Sequence, residues 1–183
     1  FSIDLREPFF LILQHTVTSE INKIDLHFEK TIDAVKELNV QSIFINGNAD
    51  AGSKKISNLI KKSKIKQHNS LTFEKFINLL SLSTGLVGNS SSGIMEAPFL
   101  KIPSVNIGTR QTGRLHTSSV IDVSYNKRDI KNALKKILYD KNFQKNLRKT
   151  KSLYGNGTAS KKLIKILENL DLAKVPIQKK QFE

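Results

Sequence analysis

The sequence predicts an α/β fold, a Rossmann-like three-layer domain built on a parallel sheet. Two observations carry that prediction. Short continuous apolar runs alternate along the chain with segments of helical periodicity, and such a βαβ succession implies a parallel sheet covered on both faces. The connections after the apolar runs are polar and rich in Gly, Ser, Asn and Thr, where ligands bind such sheets: outside the carboxyl ends of the strands. A chain of 183 residues is long enough for one domain with a complete apolar core.

Phe9-Phe10-Leu11-Ile12-Leu13 reads as a strand buried on both faces, followed by the loop QHTVTS. A helix is expected over residues 19–38, because Ile21, Ile24, Phe28, Ile32, Val35 and Leu38 form one stripe. Thr18 or Ser19 would cap it, and Glu20 reads as a first-turn helix charge. Ser42-Ile43-Phe44-Ile45 is a second strand, followed by the loop NGNADAGS and a helix carrying Ile56, Leu59 and Ile60. Residues 65–68 suit a short third strand, and a helix entered through Thr72 carries Phe73, Phe76, Ile77 and Leu80. Gly85-Leu86-Val87-Gly88 is a strand, and a helix is expected over residues 91–100, kinked or ended early by Pro98. Strands follow at residues 104–107 and 120–123, then helical patterns over about 127–151 and 159–170, parted by Gly155-Asn156-Gly157. Residues 151–183 are expected to be the C-terminal helix and tail of the same domain.

Cysteine is absent, so disulfides, thiolate metal sites and cysteine nucleophiles are excluded, and a cytoplasmic home is expected. The four histidines show no metal-ligand spacing, and no metal is expected. No apolar run approaches the roughly 20 residues of a membrane span. The N-terminal FSIDLRE does not resemble a secretory signal, and a chain beginning with Phe1 and holding a single methionine, Met95, is expected to be a piece of a longer protein. The net charge of +14 raises nucleic-acid binding. The lysines, however, interrupt apolar positions at helical spacing, as in Leu59-Ile60-Lys61-Lys62, which is the pattern of solvated helix faces.

The unusual stretch is GNSSSGIMEAPFLKIPSVNIGTRQTGR, residues 88–114. Ser90, Ser91 and Ser92 stand at a strand-to-helix junction, where small residues, hydroxyls and helix N–H groups suit a phosphate. The spacing is neither a Walker A loop nor a GxGxxG fingerprint. Glu96, one turn on, can accept hydrogen bonds from a ribose diol or simply favour the helix start. Arg110 and Arg114 follow the next strand, and guanidinium forks suit phosphate oxygens; Arg110 is the stronger candidate. His15 closes the first strand and can donate to a phosphate or act as acid or base, whereas His27, His68 and His116 have no such placement. Asn48 and Asp50 can touch a ligand or close turns, the turn being favoured for Asp50.

QHTVTSE, GNADAGS, GNSSSGIMEAP, NIGTRQTGR and the YGNGTAS stretch, in this order, resemble the C-terminal half of the UDP-N-acetylglucosamine 2-epimerases. The resemblance is closest to the hydrolysing branch, which makes N-acetylmannosamine for sialic-acid-type synthesis; the serine and arginine loops lack the forms typical of the non-hydrolysing branch. It implies a glycosyltransferase-B-like enzyme of two Rossmann-like domains, with the second present here and holding UDP. By that resemblance His15, Ser90, Ser91 and Arg110 contact the diphosphate, Glu96 holds the ribose hydroxyls, Asn48 touches the nucleotide and Leu71 lies against uracil. His15 is also a candidate catalytic residue, and Ser92 and Arg114 are candidate diphosphate or sugar contacts. The implied reaction removes the C2 proton, expels UDP to leave a 2-acetamidoglucal, and adds water. The main acids and bases are expected in an absent N-terminal domain. The implied partners are a nucleotide sugar, that N-terminal domain and further copies of the full-length chain, with no cofactor, nucleic acid or membrane. The sugar stays open between N-acetylglucosamine and diacetylated bacillosamine, on UDP or GDP. A glycosyltransferase of the same fold and a basic nucleic-acid-binding module are the alternatives.

Overall fold

The computed structural model describes residues 3–46, 52–175 and 178. Six strands form one sheet: β1 (Phe9–Leu13), β2 (Gln41–Ile45), β3 (Lys66–His68), β4 (Gly85–Gly88), β5 (Ser104–Ile107) and β6 (Val120–Val123). Their order is β3-β2-β1-β4-β5-β6, and every neighbouring pair is parallel. The order reverses direction between β1 and β4, so the crevice of a doubly wound sheet opens between the loops that follow those two strands.

Period-2 alternation along β1 divides the core. Phe10 and Ile12 join Phe44, Val87 and Val105 beneath α1 (Ile24–Lys36), α2 (Ser53–Ser63), α5 (Lys127–Tyr139) and α6 (Lys141–Lys149). Phe9, Leu11 and Leu13 face the other way, with Ile43 and Leu86, against α3 (Phe73–Leu82) and α4 (Glu96–Phe99). Phe28 of α1 meets Phe44 edge to face, with ring centroids 5.4 Å apart. This is the three-layer arrangement that the apolar runs predicted. The sheet is close-packed at the crevice because Gly88 sits at φ +134°; a Cβ there would stand 2.2 Å from the Leu13 carbonyl oxygen.

Three expected helices differ from what forms. The first begins as a 3₁₀ turn, Thr18–Lys23, in which Glu20 leaves helical dihedrals, and α1 starts only at Ile24; neither Thr18 nor Ser19 caps it. The long pattern at 127–151 is two helices, because Asp140 takes an extended conformation and its carboxylate accepts from the Phe143 N–H to cap α6. The helix expected at 91–100 is a 3₁₀ turn, Ser91–Gly93, followed by the single turn of α4. Pro98 lacks the N–H that would bond back to the Ile94 carbonyl and join the two turns, and Lys101 at φ +61° ends α4. Thr72 caps α3 as expected, accepting from the Lys75 N–H. The described residues from Tyr154 to Val175 belong to a second compact unit, with α7 (Ala159–Glu168) and a short 3₁₀ turn, Leu172–Lys174.

Candidate functional site

Asn89 organises the carboxyl edge of the sheet. It follows β4 directly, is 1% exposed, and uses its side chain where the β1–β4 ladder ends. Its Oδ1 accepts from the His15 N–H at 2.7 Å, and its Nδ2 donates to the His15 carbonyl at 2.9 Å. The amide thus extends the sheet by two bonds across the switch point and fixes the loop that presents His15. Its own carbonyl accepts from Arg110 Nη1 at 3.2 Å and from Gln111 Nε2 at 2.8 Å. One residue therefore ties together the loops after β1, β4 and β5. Arg110 spends one of its five N–H donors on this anchor and is otherwise exposed, so the fork stays available to an anion.

The three serines are not equivalent. Ser90 is buried, and its oxygen accepts from the Ser92 N–H at 3.3 Å, capping the 3₁₀ turn while its O–H remains a donor. Ser91 and Ser92 are partly exposed on that turn. Gly93 lies against Ser104, whose hydroxyl donates to the Gly93 carbonyl at 2.7 Å. Because this junction carries one 3₁₀ turn rather than a full helix, the expected helix-dipole attraction is lost. The hydroxyls, the turn N–H groups and the Arg110 fork are the donors this edge offers instead. Glu96 opens α4, and its Oε2 is buried with no hydrogen-bond partner, an acceptor that calls for a donor.

Of the other expected residues, Arg114 is exposed further along the same loop. Leu71 precedes α3 beside β3, three strands from β4, or about 14 Å at ordinary strand spacing. It lines a separate groove of about 660 Å³ with Ile3, Leu5, Thr72 and Leu79. Asn48 and Asp50 fall outside the described residues.

Glu20 and His27 need correction. Glu20 is more than a first-turn charge: its carboxylate accepts from Thr109 Oγ1 at 2.5 Å and from the Tyr125 hydroxyl at 2.7 Å. His27 stacks flat on Tyr125 with centroids 3.5 Å apart, and its Nδ1 stands 3.5 Å from Glu20 Oε2. His15, Glu20, His27 and Tyr125 line one small cavity of about 20 Å³, so His27 lies beside the loop that presents His15. Burial raises the Glu20 pKa, but the Thr109 and Tyr125 hydrogen bonds and His27 outweigh it, so the net shift is downward. Burial also lowers the His27 pKa against the pull of Glu20, and burial with the Glu20 bond pushes Tyr125 up to about 12. His116 pairs with Asp122 at 2.8 Å, and Asp122 also accepts from Asn106 at 2.7 Å. Among the described residues no group of three or more His, Asp or Glu side chains is placed to hold a metal ion, and no helix is long and apolar enough to cross a membrane.

Comparison with known proteins gives the arrangement a family. A curated GDP/UDP-N,N'-diacetylbacillosamine 2-epimerase (hydrolyzing) from Campylobacter jejuni is 35% identical over 151 residues, covering 78% of this chain and 38% of that protein. A UDP-N,N'-diacetylbacillosamine 2-epimerase (hydrolyzing) from Legionella pneumophila is 30% identical over 178 residues, covering 94% of this chain and 45% of that protein. The chain thus spans less than half the length of these relatives. Among solved structures, the UDP-GlcNAc 2-epimerase of Neisseria meningitidis bound to UDP-GlcNAc superposes with a TM-score of 0.76 at 17% identity, covering 92% of this chain and 46% of that one. That likeness shows the fold. The family profile described as UDP-N-acetylglucosamine 2-epimerase matches residues 2–168, a span that holds every loop Asn89 gathers, and the chain belongs to that family.

Proposed function

We propose that this chain is the UDP-binding, C-terminal half of a hydrolysing sugar-nucleotide 2-epimerase. The observation that carries the reading is the Asn89 junction, which holds His15, the serine turn and Arg110 at one crevice. The hydrolysing assignment draws on the activities for which the Campylobacter and Legionella relatives are named. In the proposed reaction a base removes the C2 proton of the sugar, UDP leaves by elimination, and water adds to the resulting glycal to release the C2-inverted free sugar. N-acetylmannosamine is the product if the substrate is UDP-N-acetylglucosamine, and the corresponding diacetylated sugar if it is a bacillosamine nucleotide.

The residues here serve the leaving group. Arg110, the Ser90 and Ser91 hydroxyls and His15 would meet the charge that grows on the departing diphosphate, where preorganised donors contribute most. Glu96 would accept from the ribose hydroxyls. Ser92 and Arg114 extend the donor set, and Asn48 and Leu71 would reach the nucleoside. Proton abstraction at C2 needs acids and bases positioned on the sugar, which we assign to an N-terminal domain facing this one. Calorimetry tests the reading. UDP is expected to bind this chain more tightly than GDP, and both more tightly than pyrophosphate; equal affinity for all three would refute the uridine assignment.

A further inference from the structure

We infer that Glu20 is a positioning residue for the diphosphate site: it clasps the loop that carries Arg110 to the loop that carries His15. The inference rests on the nucleotide reading proposed above. Three parts of the chain meet at this carboxylate. Glu20 lies in the 3₁₀ turn after β1, Thr109 stands beside Arg110 in the loop after β5, and Tyr125 follows β6. Each carboxylate oxygen takes one hydroxyl, and bonds to an ionised acceptor are about twice as strong as neutral ones. The backbone is shaped around the contact. Gly108 adopts φ +77° and passes so close over Tyr125 that a Cβ would stand 2.1 Å from its Cζ. Its N–H continues the β5–β6 ladder to the Val123 carbonyl at 2.9 Å. The loop is therefore pinned on one side by Glu20 through Thr109 and on the other by Asn89 through Arg110 and Gln111. Arg110 stands between the two pins.

The sign of the effect separates this role from that of a bystander. A carboxylate close to a diphosphate opposes it by charge, so removing an idle Glu20 would tighten binding. Removing a clasp weakens it, because the Arg110 fork is then free to wander. In this chain, Glu20→Ala and Thr109→Val should each weaken UDP about tenfold while leaving uridine unchanged. Combining Glu20→Ala with Arg110→Ala should cost no more than Arg110→Ala alone. The Thr112 and Arg114 amides, which donate to the Thr109 and Gln111 carbonyls, should exchange hydrogen faster in both single variants without any ligand. Tighter or unchanged UDP, equal losses for uridine, or additive losses in the double variant would overturn the clasp. If the unmodified chain takes no UDP, the nucleotide reading falls, and exchange alone decides: faster amides support the clasp and unchanged amides refute it.

Discussion

Glu96 offers the sharpest test at the scale of one residue. Its Oε2 is buried without a partner, a state that costs stability unless a donor arrives with the ligand. A hydrogen bond to a charged group supports about a tenfold gain in affinity, so Glu96→Gln should weaken UDP by about that factor and leave pyrophosphate nearly unaffected. Equal losses would mean that the carboxylate only shapes α4. His15, Ser90, Ser91, Glu96 and Arg110 stand out as candidates in the sequence because their chemistry is concentrated in short polar loops after apolar runs. Asn89, Gln111, Glu20 and Tyr125 were not, because what they do depends on partners far along the chain. Asn89 reaches 74 residues back to His15, and Tyr125 reaches 105 residues back to Glu20. In the sequence Glu20 reads as a helix charge and Asn89 draws no reading of its own; only the sheet order makes them junctions.

At the scale of elements, α1 and α5 are held across the same face of the sheet by an ion pair as well as by apolar packing. Glu37, at the end of α1, accepts from Lys127 at 2.7 Å and Lys131 at 2.6 Å. The hydrogen bonds from Lys127 and Lys131 lower its pKa to about 2. A carboxyl depressed in the fold stabilises it above the ordinary carboxylate range, and that contribution disappears as pH falls through the folded value. Wild type should therefore exceed Glu37→Gln in thermal stability above about pH 4.5, with the gap closing towards pH 2. The gap should also shrink in high salt, because the pair is exposed. A gap that persists at pH 2 would assign the loss to packing instead. Strands were legible as elements because apolar runs are short and bounded by turn residues. Helix lengths were less so: stripes of apolar residues continue straight through breaks set by single residues. Glu20 leaves helical dihedrals and reaches Thr109 and Tyr125, Asp140 is extended and caps α6, and Pro98 parts the two turns of the helix expected at 91–100.

Over the whole molecule, the charge of +14 and the gathered loops make different demands on solution conditions. Polyelectrolyte binding through scattered lysines loses affinity steeply with salt, whereas a built mononucleotide site saturates and retains most of it. UDP affinity is expected to fall only modestly between 50 and 200 mM salt, conditions over which a nucleic-acid binder would lose about a thousandfold or more. Under the proposed function, the carboxyl edge of the sheet at the β1–β4 switch holds a nucleoside diphosphate. Amide chemical shifts followed during a UDP titration test it most directly. Saturable changes are expected at His15, Asn89 through Gly93 and Arg110, with Gln41, Thr84 and Ser119 at the opposite edge unmoved. Changes centred on that opposite edge, or spread along the lysine-bearing faces of α2 and α5 without saturation, would contradict it.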